Sequence, residues 1–217
     1  MSDKITRVMF TGDSVTDCNR ARPVGDGAGS VGDSYVANLF TRTWAEHPGH
    51  KLRFLNTATS GDTTRSLLAR FDSEVLAYSP DRLFIMIGIN DCWRYFDDCI
   101  LKSEFLITKE ESAANVDEMV KKTIDAGAVP VLVSPLFFDT NTDDPMRKMR
   151  DDLDALFKEI AKKYYIEYID VQVKADEYIK ISGSYVLAQD RVHPKAIGKA
   201  LISNVIYEHP AFKALFE

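Results

Sequence analysis

The chain has 217 residues, 45% apolar and 28% charged, with 33 acidic against 27 basic side chains and a formal net charge of −6. That length suits one α/β domain, and the acidic balance argues against a nucleic-acid or anionic-membrane binder, which would carry a basic stripe. No apolar run approaches the ~18 residues of a membrane span. The polar stretch Met1 to Arg7 lacks the layout of a signal peptide. Cys18, Cys92 and Cys99 are an odd set with no repeated CxxC pair. The expectation is a cytoplasmic protein of one domain, residues 1–217, with neither a disulfide framework nor a zinc knuckle.

In chain order, Arg7 to Thr11 is a first strand running into Gly12-Asp13-Ser14, and a glycine-rich polar loop follows from Cys18 to Gly32. The spacing of Tyr35, Val36, Leu39, Phe40 and Trp44 predicts a helix ending near His47-Pro48. Leu52 to Ala58 is a second strand. Thr63 to Tyr78 is a helix with Leu67, Leu68, Phe71, Val75 and Leu76 on one face. Arg82 to Ile89 is almost continuously apolar, the mark of a parallel strand covered on both faces. Trp93 to Ile107 has no clear period, and loops of that length are often functional. Thr108 to Ala126 is helical and closes on Gly127. Val129 to Val133 is a fourth strand, and Asp144 to Tyr164 a helix with Met146, Met149, Leu153, Leu156, Phe157 and Ile160 on one stripe. Ile166 to Val171 is a fifth strand, Lys174 to Ile181 a short helix and Pro194 to Tyr207 the last helix. Strands separated by helices imply right-handed parallel crossovers. The fold class is therefore α/β, a three-layer α/β/α sandwich whose five-stranded parallel sheet has the flavodoxin-like order 2-1-3-4-5.

Ligands of an open parallel sheet bind beyond the carboxyl ends of its strands. Leaving the strands at that edge are Gly12-Asp13-Ser14, Thr59-Ser60-Gly61-Asp62, Gly88-Ile89-Asn90-Asp91, Ser134-Pro135 and, before the final helix, Asp190-Arg191-Val192-His193-Pro194. Acyl transfer to water needs a nucleophile, a base, a group orienting the base, and donors for the developing oxyanion. Ser14 is the nucleophile candidate at a strand-to-helix turn, His193 the base and Asp190, three residues earlier, its partner. The Ser14 and Gly61 N–H groups and the Asn90 amide are the oxyanion donors. Trp93 and Arg94, beside the oxyanion loop, are candidate substrate contacts. Asp13 joins them by position, although its chemistry favours bonding neighbouring loop amides. Each feature has a plainer reading: Gly-Asp-Ser as a common turn, Asn90-Asp91 as a helix cap, Gly61 as a turn residue, Trp93 and Arg94 as packing and surface charge. Four distant loops each presenting one required part at the same edge outweigh those readings. Ser60 and Ser134 lack a partner motif, and the thiols of Cys18 and Cys92 lack an adjacent base.

These blocks resemble the SGNH (GDSL) hydrolase superfamily. They are Gly12-Asp13-Ser14-Val15-Thr16-Asp17, with valine for the eponymous leucine; Gly61; Gly88-Ile89-Asn90-Asp91; and Asp190-Arg191-Val192-His193-Pro194. Thr16 to Pro23, Gly88 to Arg94 and Asp144-Pro145-Met146-Arg147 are most similar to the bacterial intracellular acetyl xylan esterases and their relatives. Those relatives often carry an aromatic where this chain has Gln189. The resemblance implies a serine esterase removing short acyl groups, chiefly acetyl, from small carbohydrates such as xylo-oligosaccharides, with no metal or organic cofactor. The implied partner is a small-molecule ester, with no nucleic acid and no membrane, and a homo-oligomer is allowed. A thioesterase or lysophospholipase is the alternative with the same chemistry, and a non-catalytic flavodoxin-like binding module the alternative without it.

Overall fold

A computed structural model describes residues 5–97 and 106–216. Cys99 and most of the aperiodic stretch before Ile107 lie outside those residues. Strand β1 (Thr6–Gly12) lies between β3 (Leu52–Asn56) and β4 (Arg82–Met86), β4 pairs β5 (Val129–Val133), and β5 pairs β6 (Glu167–Ile169), all in parallel. The expected five-strand order is thus preserved. A sixth strand, β2 (Gly25–Asp26), adds antiparallel to the outer edge of β3, giving β2-β3-β1-β4-β5-β6. Two residues inside a glycine-rich loop are too few to show a period of two, so β2 left no trace in the sequence.

Because strand side chains alternate, each strand feeds two cores. Val8, Phe10, Phe54, Phe84, Met86, Val131 and Val133 pack on one face, with Phe10 stacked at 5.0 Å on Phe84. Helices α2 (Tyr35–Glu46), α7 (Val171–Ser182) and α8 (Ala196–Glu208) cover that face, and the short α9 (Pro210–Lys213) adds the buried Phe212. Met9, Leu55, Leu83, Ile85 and Leu132 form the other face under α3 (Thr64–Ala69), α5 (Lys109–Asp125) and α6 (Pro145–Tyr164).

Several boundaries differ from expectation, three of them by more than two residues. The predicted Thr63–Tyr78 helix is α3 followed by a π turn over Phe71–Val75 and a 3₁₀ turn over Leu76–Tyr78. Phe71 and Val75 remain buried as their spacing demands, while Arg70 at the break reaches back to Asp62 and Thr57. The predicted third strand ends at Met86, and Ile89–Trp93 forms a short helix, α4. Ile87 and Ile89 are both buried, so hydrophobicity alone could not mark the change. Helix α7 starts at Val171 rather than Lys174, because the Ser134 hydroxyl accepts the Val171 and Gln172 N–H groups there. Among the described residues no helix is long and apolar enough to cross a membrane.

Candidate active site

β1 ends on Gly12, whose φ is +149°; a Cβ there would meet the Met86 carbonyl oxygen at 1.9 Å, so only glycine lets β1 and β4 close up beneath the site. Asp13 follows and caps α1 (Ser14–Asp17), its Oδ1 accepting the Val15 N–H at 3.0 Å. Its side chain is 1% exposed. Asp13 is therefore not a substrate contact: position placed it beside the nucleophile, but the cap turns the carboxylate inward. Burial pushes this carboxyl up to about 7, with the Asp91 and Asp62 charges adding to the effect against the Val15 hydrogen bond. Ser14 is thereby the first residue of α1, a position whose N–H has no intrahelical partner.

The Ser14 hydroxyl lies 2.8 Å from His193 Nε2, and His193 Nδ1 lies 2.6 Å from Asp190 Oδ2. A carboxylate can only accept, so Nδ1 carries the proton and Nε2 is left to accept from the Ser14 O–H. Asp190 Oδ1 also accepts the backbone N–H groups of Val192, at 3.0 Å, and His193, at 2.8 Å. Partial burial pushes the Asp190 carboxyl up, but the His193 ring and these two N–H groups outweigh it and hold the acid below the usual carboxylate range. It stays ionised where the imidazole needs it.

Gly61 has φ +87°, a conformation that favours glycine, and a Cβ there would meet nothing within 4 Å. Asn90, 1% exposed, donates from Nδ2 to the Asp62 carbonyl at 2.8 Å, which leaves its second amide hydrogen available. Asn90 does not cap its own helix, which is entered through Gly88. Asp91 is a cap for another element: buried, it accepts the Thr64 N–H at 3.0 Å at the start of α3, and also the hydroxyls of Thr64 and Ser112. Trp93 presents its ring to His193 edge-to-face at 5.5 Å between centroids. Arg94 pairs with Asp97 at 2.5 Å, three residues on.

Several supports were given no role by the sequence. Arg20, 5% exposed, donates to the Ala58 carbonyl at 2.6 Å, while Asp17 accepts both the N–H and the hydroxyl of Ser60. Arg70 ties the other side of the same loop through Asp62. The loop carrying Gly61 is thus fastened at both flanks by residues scattered from 17 to 70. Asp17 and Arg20 lie in the stretch from Thr16 to Pro23 that carries the family resemblance, but their role, charge at buried positions, is visible only once burial is known. Ser60 and Ser134 are both engaged as structural hydrogen-bonding groups. Burial pushes the Cys92 thiol up, and the same cause raises Cys18, as suits small packing groups. Gln189, next to Asp190, donates to the Tyr185 hydroxyl at 2.8 Å.

The model of the GDSL-like lipase/acylhydrolase family matches residues 10–201, a span holding every residue placed above at the site. The chain belongs to this family. It is a carboxylic ester hydrolase. An acetylxylan esterase of Geobacillus stearothermophilus is 35% identical over 208 residues, 95% of this chain and 94% of that protein. The crystal structure of that enzyme, Axe2, superposes with a TM-score of 0.89 over 93% of this chain and 92% of its own. Catalytic mutants of Axe2 with a serine, a histidine or an aspartate changed to alanine superpose with the same score of 0.89. LAE5, an alpha/beta hydrolase enzyme from the metagenome of Lake Arreo, is 33% identical, with a TM-score of 0.90 over 98% of this chain and 96% of that one.

Proposed function

We propose that this hydrolase removes acetyl groups from the hydroxyls of small carbohydrates, xylo-oligosaccharides foremost, by a serine mechanism centred on Ser14. The observation that carries the reading is the unbroken hydrogen-bond chain from Ser14 through His193 to Asp190. Ser14 Oγ attacks the ester carbonyl as its proton passes to His193 Nε2. The oxyanion is met by the Ser14 and Gly61 N–H groups and the second Asn90 hydrogen, donors already oriented before charge develops. On collapse the C–O bond to the sugar breaks, and the protonated His193 gives its proton to the leaving oxygen. Water then attacks the acyl-serine, losing its proton to His193, and acetate leaves as the proton returns to Ser14. Asp190 holds the tautomer and stabilises the imidazolium. Trp93, against the His193 ring, borders the acyl-acceptor side. The identity to an acetylxylan esterase across nearly the full length supports the acetyl and sugar preference.

The test uses a fluorophosphonate probe and acylated substrates. A single adduct on Ser14, absent from Ser14→Ala, is expected, with hydrolysis of acetylated xylo-oligosaccharides. Among p-nitrophenyl esters, activity should drop beyond butyrate. Activity of Ser14→Ala within tenfold of the parent would remove the nucleophile assignment, and rising activity on long acyl chains or thioesters would transfer the enzyme to another substrate class.

A further inference from the structure

Arg191, between Asp190 and His193, has φ +68°, the left-handed region in which a large side chain is costly and glycine is at ease. Something must hold it there. Its Nη1 donates to Asp139 Oδ2 at 2.9 Å and to Asp144 Oδ2 at 3.0 Å, and its guanidinium lies 5.0 Å from the centre of the Phe137 ring. Its carbonyl accepts the Phe138 N–H at 2.8 Å, so backbone and side chain bind the same segment between β5 and α6. Each acidic partner divides its oxygens. Asp139 Oδ1 accepts the Asn141 N–H, and Asp144 Oδ1 caps α6 at Met146 and Arg147, leaving Oδ2 of each to Arg191.

The left-handed turn at Arg191 has a consequence on either side of it. It lets the Asp190 carboxylate fold back onto the Val192 and His193 N–H groups and the imidazole, while Val192, 1% exposed, is set into the core. We propose that Arg191 is a positioning residue for the esterase reaction: by anchoring to Asp139 and Asp144 it holds the Asp190–His193 turn at the geometry in which His193 meets Ser14. The inference rests on the assignment of Ser14, His193 and Asp190 above. No part of Arg191 touches the reacting atoms, so its effect falls on kcat.

The decisive variants leave the local fold intact. Arg191→Gly keeps the left-handed turn and deletes the anchor. Arg191→Lys keeps a charge that can reach one carboxylate. In Asp139→Asn and Asp144→Asn the amide oxygen retains the turn and the helix cap, because asparagine caps as well as aspartate, but the charge facing Arg191 is gone. With p-nitrophenyl acetate, Arg191→Gly should lower kcat about tenfold, short of the ~10² that a 1 Å misplacement costs, with KM within about twofold. Arg191→Lys should recover most of the loss. The double Asp139→Asn, Asp144→Asn variant should match Arg191→Gly, and combining all three changes should cost nothing further, the signature of one shared interaction. The downfield ring N–H resonance of His193 should broaden in Arg191→Gly and sharpen again in Arg191→Lys. A parental kcat and an unchanged resonance in Arg191→Gly would overturn the proposal even if the variant melts earlier, and so would a raised KM with kcat intact, which would make Arg191 a substrate contact. Should Ser14→Ala remain active, the triad itself fails, and that result is separable from any outcome at Arg191.

Discussion

In the proposed mechanism Asn90 serves structure and chemistry with different hydrogens. One amide hydrogen holds the Asp62 carbonyl of the neighbouring loop, and the other is the one the proposed mechanism gives to the oxyanion. A donor that matters only after charge develops acts on the transition state and leaves ground-state binding alone. Asn90→Ala should therefore lower kcat by ~10²–10³ with KM nearly unchanged. It should also cost about 1 kcal/mol of stability through the stranded Asp62 carbonyl. Steady-state kinetics beside urea unfolding check both; a variant that melts early and turns over normally would leave Asn90 with the loop alone. Asp190→Asn reverses the acceptor that sets the imidazole tautomer, and kcat should fall by roughly 10³–10⁴ in the same assay. Both residues were legible in the sequence because acyl transfer demands specific residue types. Asp13 was legible only as a position, since nothing in Gly-Asp-Ser says whether the acid faces the cleft or caps the helix.

Helix caps contributed by distant elements fix the parts of the site relative to one another. Asp91 on α4 holds the start of α3 through Thr64 and reaches Ser112 on α5, so three helices meet at one buried carboxylate beside Asn90. Burial pushes Asp91 up against these hydrogen bonds, and removing it strands their donors. Asp91→Ala should destabilise by about 2–3 kcal/mol and lower kcat as well, because Asn90 rides on the same short helix; denaturant unfolding and kinetics on one preparation measure both. Ser134 supplies the contrast. Its hydroxyl accepts the first two N–H groups of α7, so Ser134→Ala should cost ~1 kcal/mol and leave kcat at the parental value. A large loss of kcat in that variant would reopen Ser134 as a nucleophile. The sequence marked both residues by their place after a strand but could not tell which element each would cap.

Buried and paired carboxylates give the whole molecule a pH profile with opposing limbs. Asp13 is raised by burial, so its neutral form is the one the folded state favours. Below the ordinary carboxylate value of about 3.9 both states are protonated and nothing is lost. As pH rises from there through about 7 the unfolded chain ionises first, and the stability held by neutral Asp13 drains away. The stability difference between parent and Asp13→Asn should therefore shift against the parent from about pH 4.5 to about pH 7.5 in urea titrations; a difference flat across that window would place Asp13 in a more polar setting. Asp17 runs the other way. Burial pushes it up, but Arg22 and Ser60 outweigh that and hold it low, so its contribution is present at neutral pH and lost as pH falls through its folded value.

The order of the five parallel strands and the edge at which the candidate groups gather were determined by the sequence alone. Parallel crossovers have one hand, and apolar runs of strand length separated by helical periods leave few topologies. The identity of the chemical groups was legible for a similar reason, since few residue types can attack, accept a proton or steady an oxyanion. Tertiary structure alone decided how those groups are held: the inward turn of Asp13, the Asp91 cap on a foreign helix, the Arg20 and Arg70 ties on the Gly61 loop, and the Arg191 anchor on Asp139 and Asp144. The Asp13 and Arg70 contacts turn on which way a side chain folds locally, and the others join residues 27 to 52 positions apart; all are made by charged side chains whose type carries no period, and the distant partners become neighbours only when the sheet has closed.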